Sequence, residues 1–572
     1  MQERKGGSLF IMKHYVKKAL AGILTGAMIL SMGTAAFAGE AEQYAQIVDK
    51  STLPRVIITT DLEVDDQNGV LLSLLYSTDY DLAGIVWTAG QFHFTGDGEH
   101  TLEEITPNYR CEATTAGGSV ENAGQLKEFR PVEPGILERL ITVSYAHDYE
   151  KLSKNNPNYP TPEYLMSIAK EGNVQFEGDY REETEGSQLI YDCIMDDDPR
   201  ELVIQHWGGI NTTVRALYSI YEDYHDTDQW DEVLAKVVGK VRLSGHGEDN
   251  CFEDSGVAEM FPGLQDVQRD GYAGLGNYFQ PVMLGEGALP FIGTTPDING
   301  YYQGEYLFDV FKNNHGMLLH EFHLMGDGQV IYGEPYIYQY GLITYIDWAT
   351  AGIEGWGPEA LATFPRVDLD RFDWMCCQFG MNSYVDLGLR QGITHNENRY
   401  IGVMFEDIDA RGDWAVKDPE DCNHAPVISA ENLDITAKAG ETVSLSASAA
   451  DPDGNELKAS WWIPQSSCTY GQEEGDSASS GGEEAGNEEA EPAEEVAAEE
   501  GESEEGASEE GESAAEEAAP ALAVSNIEGW ETEITVPEDA QSGDIIVVNL
   551  EVQDIGVESP MTRFAQFIIT IE

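Results

Sequence analysis

Four carboxylates fall within six residues of the stretch RVIITTDLEVDDQNGVLLSLLYSTDYDLAGIVWTAG, which runs from Arg55 to Gly90: Asp61, Glu63, Asp65 and Asp66. Carboxylate oxygens grouped this closely are hard ligands of the kind that suits Ca²⁺. Without a cation, several such anions repel one another or take up protons. A second reading is available for part of the cluster. Asp65 or Asp66 can cap a helix, and the helix macrodipole favours negative charge in the first turn. Capping accounts for one aspartate and leaves Asp61 and Glu63 unexplained.

The surrounding pattern says what must position these groups. RVIITTD and DLAGIVWTA are short β-branched runs, and between them Val70, Leu71, Leu74 and Leu75 line one face of a helix. A strand–helix–strand unit of this length implies parallel strands joined by a right-handed crossover. The stretch ELVIQHWGGINTTVRALYSIYEDY repeats the scheme: a strand, a Gly-Gly turn, then a helix carrying Val214, Leu217 and Ile220. This recurrence predicts an α/β domain over residues 53–421, with a mostly parallel sheet flanked by helices. If the first strand ends near Thr60, Asp61 sits at the C-terminal edge of the sheet, where open α/β folds bind ligands.

The pattern changes after CNHAPVIS, Cys422–Ser429. From residue 424 to 572, short alternating strands such as ETVSLSASAADPDGNELKASWW and RFAQFIITIE predict an all-β sandwich of immunoglobulin type. Its DPDG stretch, Asp451–Gly454, is turn chemistry, with Ca²⁺ as the other use of those carboxylates. Trp461 and Trp462 are adjacent, so on a strand they face opposite ways. One belongs in the core, and the other is either a carbohydrate platform or a domain contact. Residues 472–520 interrupt the sandwich with 20 acidic residues and no Lys or Arg. Such a segment has almost nothing to bury and is expected to be a disordered loop of the sandwich.

At the N-terminus, Lys13, Lys17 and Lys18 precede an apolar stretch from Ala19 to about Met32 and an Ala36-Phe37-Ala38 cleavage pattern. Residues 1–38 therefore read as a signal peptide, and the mature chain as secreted or cell-surface, without membrane insertion. The net charge of −73 argues against a nucleic acid duplex or an anionic membrane as partner. Seven scattered cysteines with no CxxC spacing read as buried thiols. His315, His320 and His323 do not follow the H-E-x-x-H metal pattern and read as core or surface histidines.

The stretch TTDLEVDDQNGVLLSLLY resembles the N-terminal motif of nucleoside hydrolases. More closely, it is similar to an exported family of cellulose-binding proteins that join a nucleoside-hydrolase-like domain to an immunoglobulin-like one. NHAPVIS, AGETVSLSASAADPDGNELKASWW and the C-terminal LEVQDIG and MTRFAQFIITI are similar to that family's second module. The resemblance implies one Ca²⁺ and attack of its water on the anomeric carbon of a sugar. It implies Asp61 as metal ligand and general base, Asp66 as bidentate metal ligand, and Asp65 as partner of a sugar hydroxyl. It further implies the Asn211 backbone carbonyl and Asp327 as metal ligands, and Gln91 near a sugar contact. Three departures bear on specificity. Thr59 stands where many of these hydrolases have an Asp, and Glu63 where they have Gly. Gly326 stands where they often have a His able to protonate the leaving base. The implied function is Ca²⁺-dependent hydrolysis of a glycosidic bond, N-glycosidic and nucleoside-like in type. The alternative is a non-catalytic carbohydrate binder. The expected partner is a sugar conjugate or a polysaccharide.

Overall fold

The computed structural model describes residues 44–45, 47–53, 55–62, 64–90, 93–105, 135–244, 251–266, 309–322, 330–331, 334–335, 399–463, 468–470 and 522–572. The proposed leader, Gln91, Asp327 and the acidic insert lie outside these residues, as does the side chain of Asp65.

The strand β1 (Arg55–Thr60) is followed by helix α1 (Val64–Leu75) and strand β2 (Asp81–Trp87). Helix α2 (Ala146–Asn155) follows a π-helical turn and precedes strand β3 (Ala169–Glu171). Then come α3 (Glu185–Met195), β4 (Leu202–His206), α4 (Asn211–Tyr224), α5 (Trp230–Lys240), β5 (Val241–Ser244) and the short β6 (Gln265–Asp266). These six strands form one sheet in the order β3-β2-β1-β4-β5-β6. Every neighbouring pair is parallel. This is a doubly wound order. The chain leaves β1 toward β2 on one side and returns to β4 on the other, so the topological switch lies between β1 and β4.

The two faces of the sheet are covered by different helices. Val56 and Ile58 point into one apolar cluster with Val70, Leu71, Leu74 and Leu75 of α1. Ile57 points into the other with Ile204 and with Val214, Leu217 and Ile220 of α4. All of these side chains are fully buried. At about 1.5–3 kcal/mol for each, their burial fixes both helices against the sheet. Helix α6 (Gly316–His320) and the long helix α7 (Arg399–Trp414) add Leu318, Leu319, Ile408 and Trp414 to the first cluster.

The C-terminal part is all-β. Strands β7 (Val427–Ala430), β8 (Asp434–Ala437), β9 (Thr442–Ala450), β10 (Glu456–Trp462), β11 (Glu531–Thr535), β12 (Ile545–Ile555) and β13 (Thr562–Ile571) form two sheets. A four-stranded sheet in the order β8-β13-β12-β10 faces a three-stranded sheet in the order β11-β9-β7. Val443 and Leu445 from the smaller sheet share a core with Ile546, Val548, Leu550 and Phe567 from the larger. Both residues flanking the insert region, Tyr470 and Leu522, belong to this core. Trp461 is in it too, with its indole Nε1 donating to the Gly529 carbonyl at 2.8 Å. Trp462 is half-buried and packs against the first apolar cluster, which joins α/β side chains to Met561 and Phe564. In the DPDG turn, Asp451 Oδ1 accepts from the backbone N–H groups of Asp453 and Asn455 at 2.9 and 2.8 Å, the side-chain-to-backbone bonding that defines an Asx turn. Cys193, Cys251, Cys422 and Cys468 are free thiols. Among the described residues no helix is long and apolar enough to cross a membrane.

Candidate functional site

Asp61 follows β1 directly, at the C-terminal edge of the sheet and on the switch-point side. It is 1% exposed, and Asp66, two residues into α1, is 3% exposed. Two buried carboxylates five residues apart need a reason, because burial disfavours their charged form unless something compensates. The local turn shows how they are held. Thr60 Oγ1 donates to Asp66 Oδ1 at 2.6 Å and accepts from the Leu62 N–H at 3.0 Å. Gln67 Nε2 donates to the Leu62 carbonyl at 2.9 Å. Leu62 itself has φ +60°, in the left-handed region that an L-residue with a bulky side chain rarely enters. The strand therefore stops abruptly, turns through Leu62, and re-enters helix with Asp66 tied back to Thr60. Such local strain persists only where surrounding contacts hold it, and it concentrates at functional sites.

The neighbouring loops enclose Asp61. Gly90, three residues beyond β2, lies so close that a Cβ there would stand 1.9 Å from Asp61 Oδ2. Gly208, in the turn after β4, would place a Cβ 3.0 Å from Asp61 Cβ and 3.1 Å from its backbone N. Backbone hydrogen bonds zip the same loops together: Thr88 N–H to the Thr60 carbonyl at 2.8 Å, Trp207 N–H to the Thr59 carbonyl at 2.9 Å, and Gly209 N–H to the Ala89 carbonyl at 2.8 Å. Asp61 thus sits in a cradle built from the ends of β1, β2 and β4, and only residues without a Cβ fit on either side of it.

Asn211 is the first residue of α4 and is fully buried. Its amide Nδ2 donates to the carbonyls of Asn173, Asp179 and Phe176 at 2.9, 3.0 and 3.3 Å. Its Oδ1 accepts from Thr88 Oγ1 at 2.6 Å. Thr212 Oγ1 lies 2.9 Å from Thr88 Oγ1 and accepts from the Asn173 N–H at 2.8 Å. The side chain therefore pins the loop after β3 against the ends of β2 and β4. The ligand role expected of Asn211 rests on its carbonyl; the bracing work of its side-chain amide has no signature in the sequence. A Thr88–Asn211–Asn173 association spans more than 120 residues of chain and leaves no local pattern.

The pinned loop itself carries a buried carboxylate, Glu177, that no sequence pattern marked. Glu177 is 0% exposed, between Phe176, which packs on Phe94 with ring centroids 5.7 Å apart, and Gly178, whose carbonyl accepts from Cys251 Sγ at 3.5 Å. The only sequence signal for it was an acidic residue inside GNVQFEGD, after a short strand that was itself not foreseen.

Of the six residues expected at the site, the structure places Asp61, Asp66 and Asn211 together around the ends of β1 and β4. Asp65 falls in the first turn of α1. The described donors at Asp61 and Asp66 are carboxylate oxygens only, which fits a hard cation and not a thiophilic one. Among the described residues, no three His, Cys, Asp or Glu side chains group as a metal site; the remaining implied ligand, Asp327, is not among them. His315 is buried, with Nδ1 2.7 Å from the Val310 carbonyl, and is a packing residue away from the cradle.

Residues 55–337 match the family described as cellulose-binding Sde182, nucleoside hydrolase-like domain. A solved structure, described as a nucleoside hydrolase-related hypothetical protein from Saccharophagus degradans that is associated with carbohydrate metabolism, is similar over 91% of this chain and 100% of its own. Its TM-score is 0.57 and its identity 19%, so the likeness is one of fold. No curated protein matches the chain.

Proposed function

Residues 55–337 belong to the cellulose-binding Sde182 family as its nucleoside hydrolase-like domain, and on that premise we propose that the cradle around Asp61 is a cation-dependent sugar site that hydrolyses a glycosidic bond, N-glycosidic in type. The observation that carries this reading is the enclosure of one buried carboxylate by two glycines at the topological switch, with a second carboxylate locked five residues on. Packing alone does not call for two buried carboxylates five residues apart around a left-handed Leu62 at a strand end. A binding site for a cation and a polar ligand needs both the donors and their fixed placement.

In this reading, Asp61 and Asp66 hold Ca²⁺, with the Asn211 carbonyl and Asp327 as further ligands. The ion would supply Lewis-acidic charge beside the reacting carbon. Asp61 accepts a proton from the attacking water; its fixed position is what makes general-base assistance worth on the order of 10²–10⁴-fold. Asp65 and Gln91 hold sugar hydroxyls. Gly326 offers no acid for a poor leaving group, so activated leaving groups react first. The second reading, a site that binds glycan without cleaving it, is favoured by the family's description as cellulose-binding. We also propose that the chain is exported after loss of residues 1–38, and that its C-terminal sheets form an immunoglobulin-like module.

One assay separates the two readings. Release of reducing sugar is followed from a panel of nucleosides and nitrophenyl glycosides, with Ca²⁺ or with chelator, alongside retention on cellulose. Calcium-dependent release that falls by about 10²-fold or more in Asp61→Asn supports the hydrolase. No release from any substrate, together with retention on cellulose, replaces it with the binding reading.

A further inference from the structure

The α/β domain meets the all-β domain along helix α7, and the seam between them is crowded with carboxylates from both sides. From α7 come Glu406, Asp407, Asp409 and Asp413. From the other side come Glu551 and Asp554 of β12 and Glu558 of the β12–β13 loop. The cations at the seam are already committed. Arg563 of β13 donates to Asp407 Oδ1 at 2.6 Å. Arg411, 2% exposed, pairs with Asp407 at 2.8 Å and with Asp79 at 2.6 Å. Lys417 pairs with Asp413 at 2.6 Å.

The remaining carboxylates face one another more than they face cations. Glu406 accepts from Gln553 Nε2 at 3.3 Å and is faced by Asp554 and Glu551 across the seam and by Asp409 along its own helix. Asp409 accepts a short hydrogen bond from the Ser559 hydroxyl, and is faced by His315 Nε2 at 3.4 Å, by Asp413 and by Glu558. Asp554 is fully buried; it accepts from the Met561 N–H and from Asn423 Nδ2, both at 2.8 Å, and is faced by Asp451 from the β9–β10 loop and by Arg563. Like charges held together away from water raise the energy of the ionised state.

We propose that this seam is a proton-operated latch, which holds the two domains together in acid and loosens as its facing carboxylates ionise.

The electrostatics agree in direction. Burial, then Asp554, Asp409 and Glu551, pushes Glu406 up to about 7. Burial pushes Asp554 up to about 6, against the hydrogen bonds it accepts, and raises Asp409 as well. Asp407 shows the contrast: burial raises it, but Arg563 and Arg411 outweigh burial and hold it below the usual range. In an unfolded chain a glutamate titrates near about 4.3. The closed seam therefore holds more protons than the unfolded chain between those pH values. Its stabilisation is full below about pH 4 and is lost as pH rises through about 7.

Hydrogen exchange of the full chain, read in the segments covering residues 403–411 and 552–562 and corrected for the intrinsic rate, tests the latch. For one linked proton, the opening equilibrium rises by up to about tenfold per pH unit within the titration window. Protection of both segments should fall at least about tenfold between about pH 5 and pH 8 in the wild type. In Glu406→Gln, which keeps the acceptor for Gln553 and cannot ionise, most of that fall should vanish. Asp409→Asn keeps an acceptor for Ser559 and should reduce the fall too; it decides the matter if Glu406→Gln does not fold. Protection that is unchanged with pH in the wild type, or that falls as steeply in the folded variant, overturns the proposal.

Discussion

Replacing Gly90 by Ala adds one methyl group, and the structure says where it goes. The new Cβ would stand 1.9 Å from Asp61 Oδ2 and 2.9 Å from its Cγ. Ordinary carbon contact begins near about 3.5 Å, so the carboxylate must move by roughly 1.5 Å or the loop after β2 must back away by a similar amount. The second route breaks the bond from Gly209 N–H to the Ala89 carbonyl that closes the cradle. Overpacking of this kind costs about 1–3 kcal/mol of stability. A misplacement of about 1 Å at a reacting group costs about 10²-fold in rate. The G90A chain should therefore still fold, with a modestly lower Tm, yet bind Ca²⁺ more weakly and lose any sugar-releasing activity by about 10²-fold. Gly239→Ala, near the end of α5 with open space around its Cβ, is the matched control. It should raise stability by about 0.5–1 kcal/mol and leave the site untouched. Calorimetric titration of Ca²⁺ and scanning calorimetry on both variants read the two effects apart. If G90A loses stability as expected while its Ca²⁺ affinity matches the wild type, Asp61 is not part of a cation site and the reasoning fails.

Thr60→Val removes the hydroxyl that holds Asp66 and leaves the buried Leu62 N–H without its acceptor. It should lower stability by about 1–3 kcal/mol in urea denaturation and weaken Ca²⁺ binding, while Thr60→Ser should restore both. Arg411→Met removes the partner of Asp79 and one of the two arginines on buried Asp407, and should cost about 1–3 kcal/mol by the same measurement, because Arg563 still holds Asp407 at 2.6 Å.

Short-range patterns carried β1, α1, β4 and α4 in the sequence: each buried face there follows from a period of 2 or 3.6 residues. They also carried Asp61 and Asp66, because a strand end, a turn and a helix start lie within seven residues. The functions of Gly90 and Gly208 were hidden, since each acts on Asp61 from a different strand end. Asn211 was noticed for its carbonyl, whereas the contacts its amide makes join loops 32 to 123 residues away. Trp462 could not be assigned from its strand alone, because whether its outward face meets solvent or α/β core depends on domain placement. The seam was unreadable for the same reason: Arg563 and Asp407 are 156 residues apart. Within the sheet, register and order rest on pairing between strands, to which local periodicity is blind.

The central claim is that Asp61 and Asp66 form a cation site at the β1–β4 switch. Titration calorimetry of Ca²⁺ into the wild type and into Asp66→Ala tests it most directly, since the carboxylates of residues 472–520 are common to both proteins and cancel in the comparison. The account predicts one Ca²⁺ bound by the wild type and missing from the variant, at unchanged fold by circular dichroism. Equal stoichiometry and affinity in the two proteins would contradict it.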